Sequence, residues 1–454
     1  MSLREYIPFY KRNLKVALPI MLTQAGQVTV QLADNIMIGH VGTAELAAVS
    51  FANSLIVLGM VFGIGFTQGL TPHIGQSYGK GEHGVAAKFF QSSLVLNCFV
   101  VVVLSAIMFL AGFFMDSMGQ TEEVVTFARQ YYYITLISMF PFLIFFGMRQ
   151  FSEGIGITKY AMYITIAANI LNIFLNWVLI FGHLGFEPMG VRGAAISTVI
   201  GRAIMLISFI YVMVKLKVYR RYLNLFRFPL IDVSIIKNLL KTSIPLSLQN
   251  LVEITAFSFS AIMVGWNGKV ALASHQIAMS MSSLSFMLAL GIGAAATIRV
   301  SHQYGSGDYV SMRKAGFASV HLSVALMSLF GLVYIFANRY IPMLYTADID
   351  VIALAAQLLI LSALFQIFDA TQLACLGCLR ALKDVKIPLF LSIISYYFVC
   401  LPMGYICGFV FDFGTKGVWV GLMFGLIFVA ILFFARFNKI SKDLIINPIK
   451  EQKI

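Results

Sequence analysis

Three acidic side chains lie deep inside long apolar runs of this sequence: Asp34, Glu253 and Asp369. A carboxylate at the centre of a membrane-spanning helix costs about 2.5–3.5 kcal/mol on insertion scales. Such a group can exchange a proton, because desolvation favours its neutral form, or it can hold a hard cation such as Na⁺ together with other oxygen ligands. Neutral amides would join helices without this penalty, so we expect the three acids to couple ion movement to another process.

Each of these acids shares a helical face with other polar side chains, at spacings of three or four residues. The faces comprise Thr23, Gln27, Gln31 and Asp34; Gln249, Glu253 and Ser260; and Ser362, Gln366, Asp369 and Gln372. A polar face of this kind is directed to protein or water rather than to lipid. For the amides and hydroxyls, the alternative is that they only join helices, at about 0.6–2 kcal/mol for each hydrogen bond.

Two further polar features belong to the same predicted interior. Asn169, Asn172 and Asn176 follow each other at helical spacing and predict an amide-lined cavity beside Asp34. His275 begins a later apolar run and is a candidate to titrate in the cavity. Together with the glutamines, these residues predict a polar path through an apolar protein.

The runs that carry these residues are long enough to cross a bilayer. Of 454 residues, 59% are hydrophobic and 11% charged, against about 45–50% and about 25% in soluble proteins. About 20 apolar residues span the hydrocarbon core. Twelve runs reach this length, at 14–39, 49–72, 88–112, 130–152, 160–183, 190–215, 238–265, 272–298, 315–337, 352–376, 386–409 and 416–437. We predict an all-α integral membrane protein with twelve transmembrane helices.

The basic residues predict how these helices are oriented. With a cytoplasmic N-terminus, 26 of the 32 Lys and Arg residues fall on the cytoplasmic side, five fall on the other side, and Arg202 lies within a run. This asymmetry satisfies the positive-inside rule and places both termini in the cytoplasm. It also explains the net charge of +13, so the expected partner is the bilayer of the cytoplasmic membrane, with no nucleic acid.

The sequence repeats itself at an offset of 226 residues. LKVALP, which ends at Pro19, aligns with LKTSIP, which ends at Pro245, and YGKG from Tyr78 aligns with YGSG from Tyr304. Each half has six spans, so both halves enter the membrane from the same side and are related by a pseudo-two-fold axis along the membrane normal.

This repeat predicts how the chain divides into domains. We expect an N-terminal six-helix lobe at residues 1–215, a basic cytoplasmic linker at 216–236 and a C-terminal six-helix lobe at 237–454. Two lobes that flank a central cavity and rock against each other would give alternating access. We expect a monomer.

Motifs for catalysis or cofactor binding are weak in this sequence. GQSYGKG, from Gly75, lacks the spacing and the Ser or Thr of a nucleotide-binding loop, and the histidines form no HExxH pair. The CxxC at Cys375 and Cys378 lies in an apolar stretch with no second pair and no nearby His ligand, so it does not indicate a metal site. We therefore expect no cofactor and no enzymatic activity.

With these residues identified, the chain resembles the multidrug and toxic compound extrusion (MATE) transporters over essentially its whole length, and within them the bacterial NorM-like branch. The resemblance is carried by LADNIMIGHVG around Asp34, NLVEITAF around Glu253, FQIFDATQLACLGCLRALKD around Asp369, the two repeated prolines and the YGKG and YGSG loops. It implies a secondary antiporter of the bacterial cytoplasmic membrane, which exports organic and often cationic compounds in exchange for Na⁺ or H⁺.

In the C-terminal lobe, the resemblance implies a cation site at Glu253 and Asp369. The NorM-like branch usually has a Tyr four residues before the Asp, whereas this chain has Phe365. The departure removes a hydroxyl ligand and alters the geometry available to Na⁺.

In the N-terminal lobe, the resemblance implies a second Na⁺ or H⁺ site around Asp34. Its other members would be Asn172, Asn176 and Thr198, with Glu153 in place of an acid that is usually Asp in this branch. Candidate residues of the substrate cavity are Gln27, Gln31, Gln249, His275 and Gln366.

Two other functions remain as alternatives. A flippase for lipid-linked oligosaccharides would need Arg or Lys side chains in the cavity to bind pyrophosphate, and the spans contain essentially one, Arg202. A membrane-embedded enzyme would need a nucleophile or metal cluster at membrane depth, and the sequence shows neither.

Overall fold

The computed structural model describes residues 3–226 and 232–447, and most of them are helical. The helices of the first half are α1 (Ile7–Gly39), α2 (Thr43–Gln68), α3 (Leu70–Gly79), α4 (His83–Ala111), α5 (Glu122–Ile137), α6 (Met139–Gly154), α7 (Lys159–Phe181), α8 (Val191–Lys215) and α9 (Lys217–Leu223). Those of the second half are α10 (Val233–Gly265), α11 (Lys269–Gly305), α12 (Tyr309–Phe336), α13 (Tyr340–Met343), α14 (Ile349–Ala381), α15 (Lys386–Ile393), α16 (Leu401–Tyr405) and α17 (Gly414–Ile446). The predicted linker contains α9, and its residues 227–231 lie outside the described residues.

The described helices confirm an all-α protein that crosses the membrane many times. Eleven helical stretches are long and apolar enough to span a bilayer, and there are up to twelve spans if one bent pair of helices counts as a single crossing. Several helices extend beyond the apolar runs; α1, for example, begins at Ile7. These helices are therefore longer than the apolar runs alone predict.

The run predicted as one span at 130–152 forms a bent pair, α5 and α6. The two helices meet at Ser138 with a bend of 40°. Pro141 follows in the first turn of α6, and a proline cannot donate the hydrogen bond that would continue the preceding helix. The bend explains why one apolar run became two helices.

The run predicted at 386–409 is interrupted in a different way. Between α15 and α16 the chain forms a wider π-helical turn at Ile394–Cys400, and a second one follows at Ile406–Val410. Such turns commonly occur at functional sites. The first one contains Tyr396, whose side chain reaches the acids of the second half, as described below.

Small residues let the helices that carry the acids pack closely. A Cβ atom added to Gly377 on α14 would collide with the carbonyl oxygen of Gly293 on α11, and the Thr297 hydroxyl donates to the Gly377 carbonyl at 3.0 Å. Close backbone approach of this kind is typical of membrane helix pairs. It fixes α14, and therefore Asp369, against α11.

The chain divides into two compact units. One comprises Leu22–Ser77 and Glu82–Ser247, with a continuous core of aromatic and aliphatic side chains. The other contains residues up to Met21, the Tyr78–Gly81 turn and the chain from Leu248 onwards. The repeated prolines lie inside α1 and α10, close to the points where each helix passes from one unit to the other.

Candidate ion-coupling sites

Asp34 lies on α1 against the asparagines of α7. The side-chain amide of Asn176 donates to Asp34 Oδ1 at 2.5 Å and to Asn172 Oδ1 at 3.3 Å. Both asparagines are buried and Asp34 is half-buried. The structure therefore brings together three residues that the sequence placed in one site, with a donor rather than an acceptor of Asn176 facing the carboxylate.

Arg202 on α8 is the residue of this site that the sequence interpretation missed. Its guanidinium lies within electrostatic range of the Asp34 carboxylate and of the buried Tyr131. Nη1 donates to the Ser138 hydroxyl at 2.7 Å, and the guanidinium carbon lies 4.5 Å from the centre of the Phe142 ring. The available signal was that Arg202 is a basic residue inside a predicted span. Its positive charge acts on the half-buried carboxylate of Asp34.

Thr198 lies one helical turn before Arg202 on α8. Its hydroxyl donates to the Ala194 carbonyl of its own helix at 3.0 Å. This bond occupies the hydroxyl proton and leaves the oxygen lone pairs able to accept. Thr198 is thus placed on the same helical face as Arg202, with no contact to Asp34 among the hydrogen bonds described for it.

Glu153 occupies a different environment, at the end of α6. Its carboxylate is paired with Arg149 Nε at 2.5 Å, one turn earlier on the helix, and both side chains are almost completely buried. A buried ion pair neutralises the carboxylate locally. The structure therefore gives Glu153 its own partner, whereas Asp34 is neighboured by Arg202 and Asn176.

The acids of the second half converge around one tyrosine. Glu253 on α10 lies within electrostatic range of Asp369 on α14. The Tyr396 hydroxyl lies 3.4 Å from Glu253 Oε1 and 3.1 Å from Gln372 Oε1. Since a hydroxyl has a single proton, it can satisfy only one of these two acceptors at a time.

Arg380 provides a positive charge near these acids. Its guanidinium lies within electrostatic range of Glu253, and Nη2 donates to Asn250 Oδ1 at 3.1 Å. Arg380 lies in the last turn of α14, the helix that carries Asp369. The group contains two acids and one arginine, so with all three ionised it has one excess negative charge.

Several buried oxygen atoms of the second half have no hydrogen-bond donor among the described residues: Asp369 Oδ1, Gln249 Oε1 and Gln366 Oε1. Gln249 is one helical turn from Glu253, and Gln366 one turn from Asp369. Buried acceptors are normally paired, and carboxylate and amide oxygens are ligands that hard cations prefer. These residues therefore fit a bound Na⁺, or a proton on Asp369.

The amide nitrogens of the two glutamines are already used. Gln249 Nε2 donates to the Ser392 hydroxyl at 3.1 Å, and Gln366 Nε2 donates to the Met327 carbonyl at 3.3 Å. These bonds orient both side chains, so that their oxygens are the free ends. The predicted cavity residues of the first half differ in exposure, since Gln31 is exposed and Gln27 is half-buried.

His275 and Phe365 both pack on Trp419. The Trp419 indole N–H donates to His275 Nδ1 at 3.0 Å, and the Phe365 ring centre lies 5.5 Å from that of Trp419. Both side chains are buried. His275 therefore accepts a hydrogen bond as a neutral imidazole. Phe365, four residues before Asp369, packs in an aromatic cluster with Trp419.

Comparison with known sequences identifies related proteins over almost the whole chain. The MatE family profile matches residues 19–178 and 245–406. The chain is 31% identical over 437 residues to the multidrug resistance protein NorM of Photobacterium profundum, covering 95% of each protein. It is also 31% identical over 438 residues to the multidrug resistance protein NorM of Vibrio cholerae, again covering 95% of each.

Solved structures of the same architecture confirm the fold. A protein described as MATE in the straight conformation superimposes with a TM-score of 0.88 at 22% identity, covering 97% of both chains. An outward-facing multidrug resistance MATE transporter superimposes with a TM-score of 0.87 at 21% identity, with the same coverage. A eukaryotic MATE transporter superimposes with a TM-score of 0.85 at 19% identity, covering 96% of this chain and 98% of the other.

Proposed function

Because the chain belongs to the MatE family of membrane transporters, we propose that it is a secondary multidrug antiporter, which exports organic and often cationic compounds in exchange for Na⁺ or H⁺. The family consists of transporters, which confirms the expectation that the chain is not an enzyme. Two relatives that are 31% identical to the chain are named multidrug resistance protein NorM.

The observation that supports the proposal is the excess negative charge of the site in the second half. Glu253 and Asp369 share one arginine, and Asp369 Oδ1 is a buried carboxylate oxygen without a donor among the described residues. A buried charge is costly unless it is compensated. A coupling cation or proton would supply the missing compensation, and so would the positive group of an organic cation.

These alternatives provide the exchange mechanism. A site with one excess negative charge accepts either the coupling ion or the cationic compound, and repulsion disfavours both together. Tyr396 and Gln372 orient Glu253, while Gln249 and Gln366 offer neutral oxygens one helical turn along from the acids. Binding of one partner therefore promotes release of the other, which is the requirement for antiport.

For the membrane arrangement we propose the one that the sequence predicts. The lobes predicted at 1–215 and 237–454, joined by the linker at 216–236, would rock to expose the site alternately to the two sides. The positive-inside count supports a bacterial cytoplasmic membrane protein, with both termini in the cytoplasm.

Ethidium efflux in everted membrane vesicles tests the proposed function. We expect efflux activity that responds to an imposed Na⁺ or pH gradient, and that is lost in Glu253→Gln and Asp369→Asn. Asp350→Asn, at an exposed position of the same helix as Asp369, is the matched control and should transport normally. Normal gradient-driven efflux by both site variants would contradict the assignment.

A further inference from the structure

We propose that Arg12 on α1 and Arg299 on α11 form a binding site for a phosphate group, which the headgroup of an anionic phospholipid can supply. The site is separate from the acids of the proposed antiport, and the inference does not depend on which compounds the protein transports. It rests on the packing of the two helices, on the hydrogen-bonding state of the Arg299 side chain and on the position of both arginines along the predicted spans.

The first part of α1 runs alongside the last part of α11 in the opposite direction. A Cβ atom added to Gly291 on α11 would lie 2.4 Å from Met21 Cγ and 2.9 Å from the Met21 backbone nitrogen. Four residues earlier on α1, Ala17 is buried in one cluster with Ile292 and Ala295. Residues that come earlier on α1 thus meet residues that come later on α11.

This packing brings Arg12 level with Arg299. Arg12 lies nine residues before Met21, and Arg299 lies eight residues after Gly291, which corresponds to about 14 Å and about 12 Å along the two helices. Arg299 also lies one helical turn after Ala295, on the face of α11 that packs against α1. In agreement with this placement, the two guanidinium groups lie within electrostatic range of each other.

The Arg299 guanidinium has no negative partner in the described part of the chain. Its Nε and Nη2 atoms are buried, and no acceptor there receives a hydrogen bond from either. None of the ion pairs formed by residues 3–226 and 232–447 includes Arg12 or Arg299. An arginine keeps its charge in a protein, and its planar guanidinium can donate two parallel hydrogen bonds to a phosphate. An anion between the two arginines would therefore compensate both charges.

Neighbouring basic side chains on α12 differ, because the protein itself provides their partners. Arg313 Nη1 donates to the Asn438 carbonyl at 2.9 Å, and Lys314 Nζ donates to Glu5 Oε2 at 2.8 Å. The absence of an acceptor for the two Arg299 nitrogens is thus a local feature of this position. It is not a general property of the basic residues on this side of the protein.

The other half of the repeat shows what a site without charge looks like. At the offset of 226 residues, His73 corresponds to Arg299 and Asn238 corresponds to Arg12. His73 Nε2 forms a hydrogen bond with the Thr242 hydroxyl at 2.8 Å, and its ring stacks on that of Phe89 at 4.6 Å. The first half therefore has a protein partner at this position, whereas the second half has two adjacent positive charges, which repel each other unless an anion binds.

The level of the two arginines in the membrane indicates where the phosphate comes from. Arg12 lies two residues before the apolar run 14–39, and Arg299 directly follows the run 272–298. Both therefore lie at the predicted cytoplasmic edge of the hydrocarbon layer, the level of lipid headgroups. Lys15, one turn after Arg12, is exposed and adds a further positive charge. Basic sites between transmembrane helices on this side of a membrane commonly bind anionic headgroups.

Lipid binding to the purified protein tests the inference. The delipidated protein in dodecyl maltoside is titrated with phosphatidylglycerol, phosphatidylcholine or inorganic phosphate at constant ionic strength, and retained radioactive ligand and the thermal unfolding temperature are measured. The variants are Arg299→Gln, Arg299→Lys and Arg12→Gln. Lys439→Gln, at an exposed lysine near the end of α17, removes one charge from the same predicted side and is the matched control.

We expect phosphatidylglycerol to raise the unfolding temperature of the unmodified protein and of Lys439→Gln, and phosphatidylcholine to leave both unchanged. Arg299→Gln and Arg12→Gln should each weaken phosphatidylglycerol binding by about tenfold or more, because a hydrogen bond to a charged group is lost. Arg299→Lys keeps the charge but cannot donate two parallel hydrogen bonds, so its affinity should be intermediate.

The unfolding temperature without lipid separates a binding role from a structural one. Arg299→Gln removes a charge that has no partner in the described part of the chain, so it should unfold at the same temperature as the unmodified protein or at a higher one. An arginine that only supports the fold would lower this temperature when replaced. Arg12→Gln changes an exposed side chain and provides the affinity measurement independently of any such loss.

Inorganic phosphate distinguishes the two sources of the group. A response to phosphatidylglycerol alone would assign the site to a lipid headgroup, and an equal response to inorganic phosphate would assign it to a soluble phosphate. Equal affinity of the unmodified protein, Arg299→Gln and Arg12→Gln for phosphatidylglycerol would overturn the inference. An equal loss of affinity in Lys439→Gln would also overturn it, because binding would then depend only on the overall positive charge of this side.

Discussion

The acids of the two halves have opposite surroundings, although the halves are repeats of one another. Asp34 is approached by an amide donor and by the guanidinium of Arg202. Asp369 and Glu253 share Arg380, and one oxygen of Asp369 has no donor among the described residues. The comparison shows that a duplicated helical scaffold can surround its acids with different partners in its two halves.

The acids are also not copies of each other in the repeat. At the offset of 226 residues, Glu253 aligns with Gln27, and Asp34 aligns with Ser260, whose hydroxyl donates to its own helix at Ala256. Seven residues separate the two positions along the first helix of each half, which corresponds to about 10 Å of helix. The halves thus place their acids at different depths, consistent with different roles.

The largest expected effect on transport is the loss of coupling on neutralisation of the site in the second half. Glu253→Gln or Asp369→Asn should lower gradient-driven ethidium transport in proteoliposomes by at least about tenfold, a difference of about 1.4 kcal/mol. The reason is that each change removes the excess negative charge that attracts the coupling ion. If transport by either variant kept its response to the gradient, the comparison between the sites would fail.

The next effect concerns stability rather than coupling. Glu153→Gln leaves the buried charge of Arg149 uncompensated, and breaking a buried pair costs about 3–5 kcal/mol. We expect a large fall in the thermal unfolding temperature in detergent, whereas the folded fraction should bind as many cations as before. Arg129→Gln, in an exposed pair with Asp116, should have little effect on either measurement. Loss of a bound cation in Glu153→Gln would instead assign this acid to the first site.

A smaller effect is expected from a double-mutant cycle at the first site. Asp34→Asn should destabilise the protein and weaken efflux of cationic compounds, because Arg202 then presents an unmatched positive charge. Adding Arg202→Gln should restore part of both properties, with a coupling energy on the order of 2 kcal/mol. Unfolding in detergent and ethidium efflux measure the cycle, and strictly additive effects would show that the two charges act independently.

The smallest effect concerns the hydroxyl of the second site. Tyr396→Phe removes a hydroxyl 3.4 Å from Glu253, and this long contact corresponds to about 0.5–1.5 kcal/mol, or roughly twofold to tenfold in cation affinity. Phe365→Tyr adds a hydroxyl within the Trp419 cluster and should change affinity less. Titration of ethidium displacement with Na⁺ compares the two variants. If Phe365→Tyr raised Na⁺ affinity by more than Tyr396→Phe lowered it, the hydroxyl expected at this position from the family resemblance would be the missing ligand.

Helical spacing was sufficient to predict the fold and part of the sites. The apolar runs indicated the twelve-span architecture, and the three-and-four spacing of Asn172 and Asn176 placed them where Asp34 meets α7. The bend at Ser138 was missed because hydropathy is insensitive to the hydrogen bond that Pro141 cannot donate. The sequence also contained Arg202, but spacing on one helix does not show which residues of another helix it faces.

Partners in space account for the remaining differences. Glu153 is paired with Arg149 on its own helix, and this pair has the i, i+4 spacing that the sequence displays. Tyr396, by contrast, reaches Glu253 from a π-helical turn, whose position no periodicity in the sequence predicts. Ion pairs within one helix can thus be predicted from the sequence, whereas contacts made from irregular turns require the structure.

The dependence of ethidium exchange on membrane potential tests the charge assignment most directly. One excess negative charge at Glu253 and Asp369 implies that one ethidium cation leaves for each Na⁺ or H⁺ that enters, so that no net charge crosses the membrane. In proteoliposomes, the potential is imposed by K⁺ and valinomycin, and the exchange measured with Glu253→Gln is subtracted as background. The remaining ethidium exchange should be insensitive to the potential. Exchange by the unmodified protein that is driven by the potential would contradict one excess negative charge at Glu253 and Asp369.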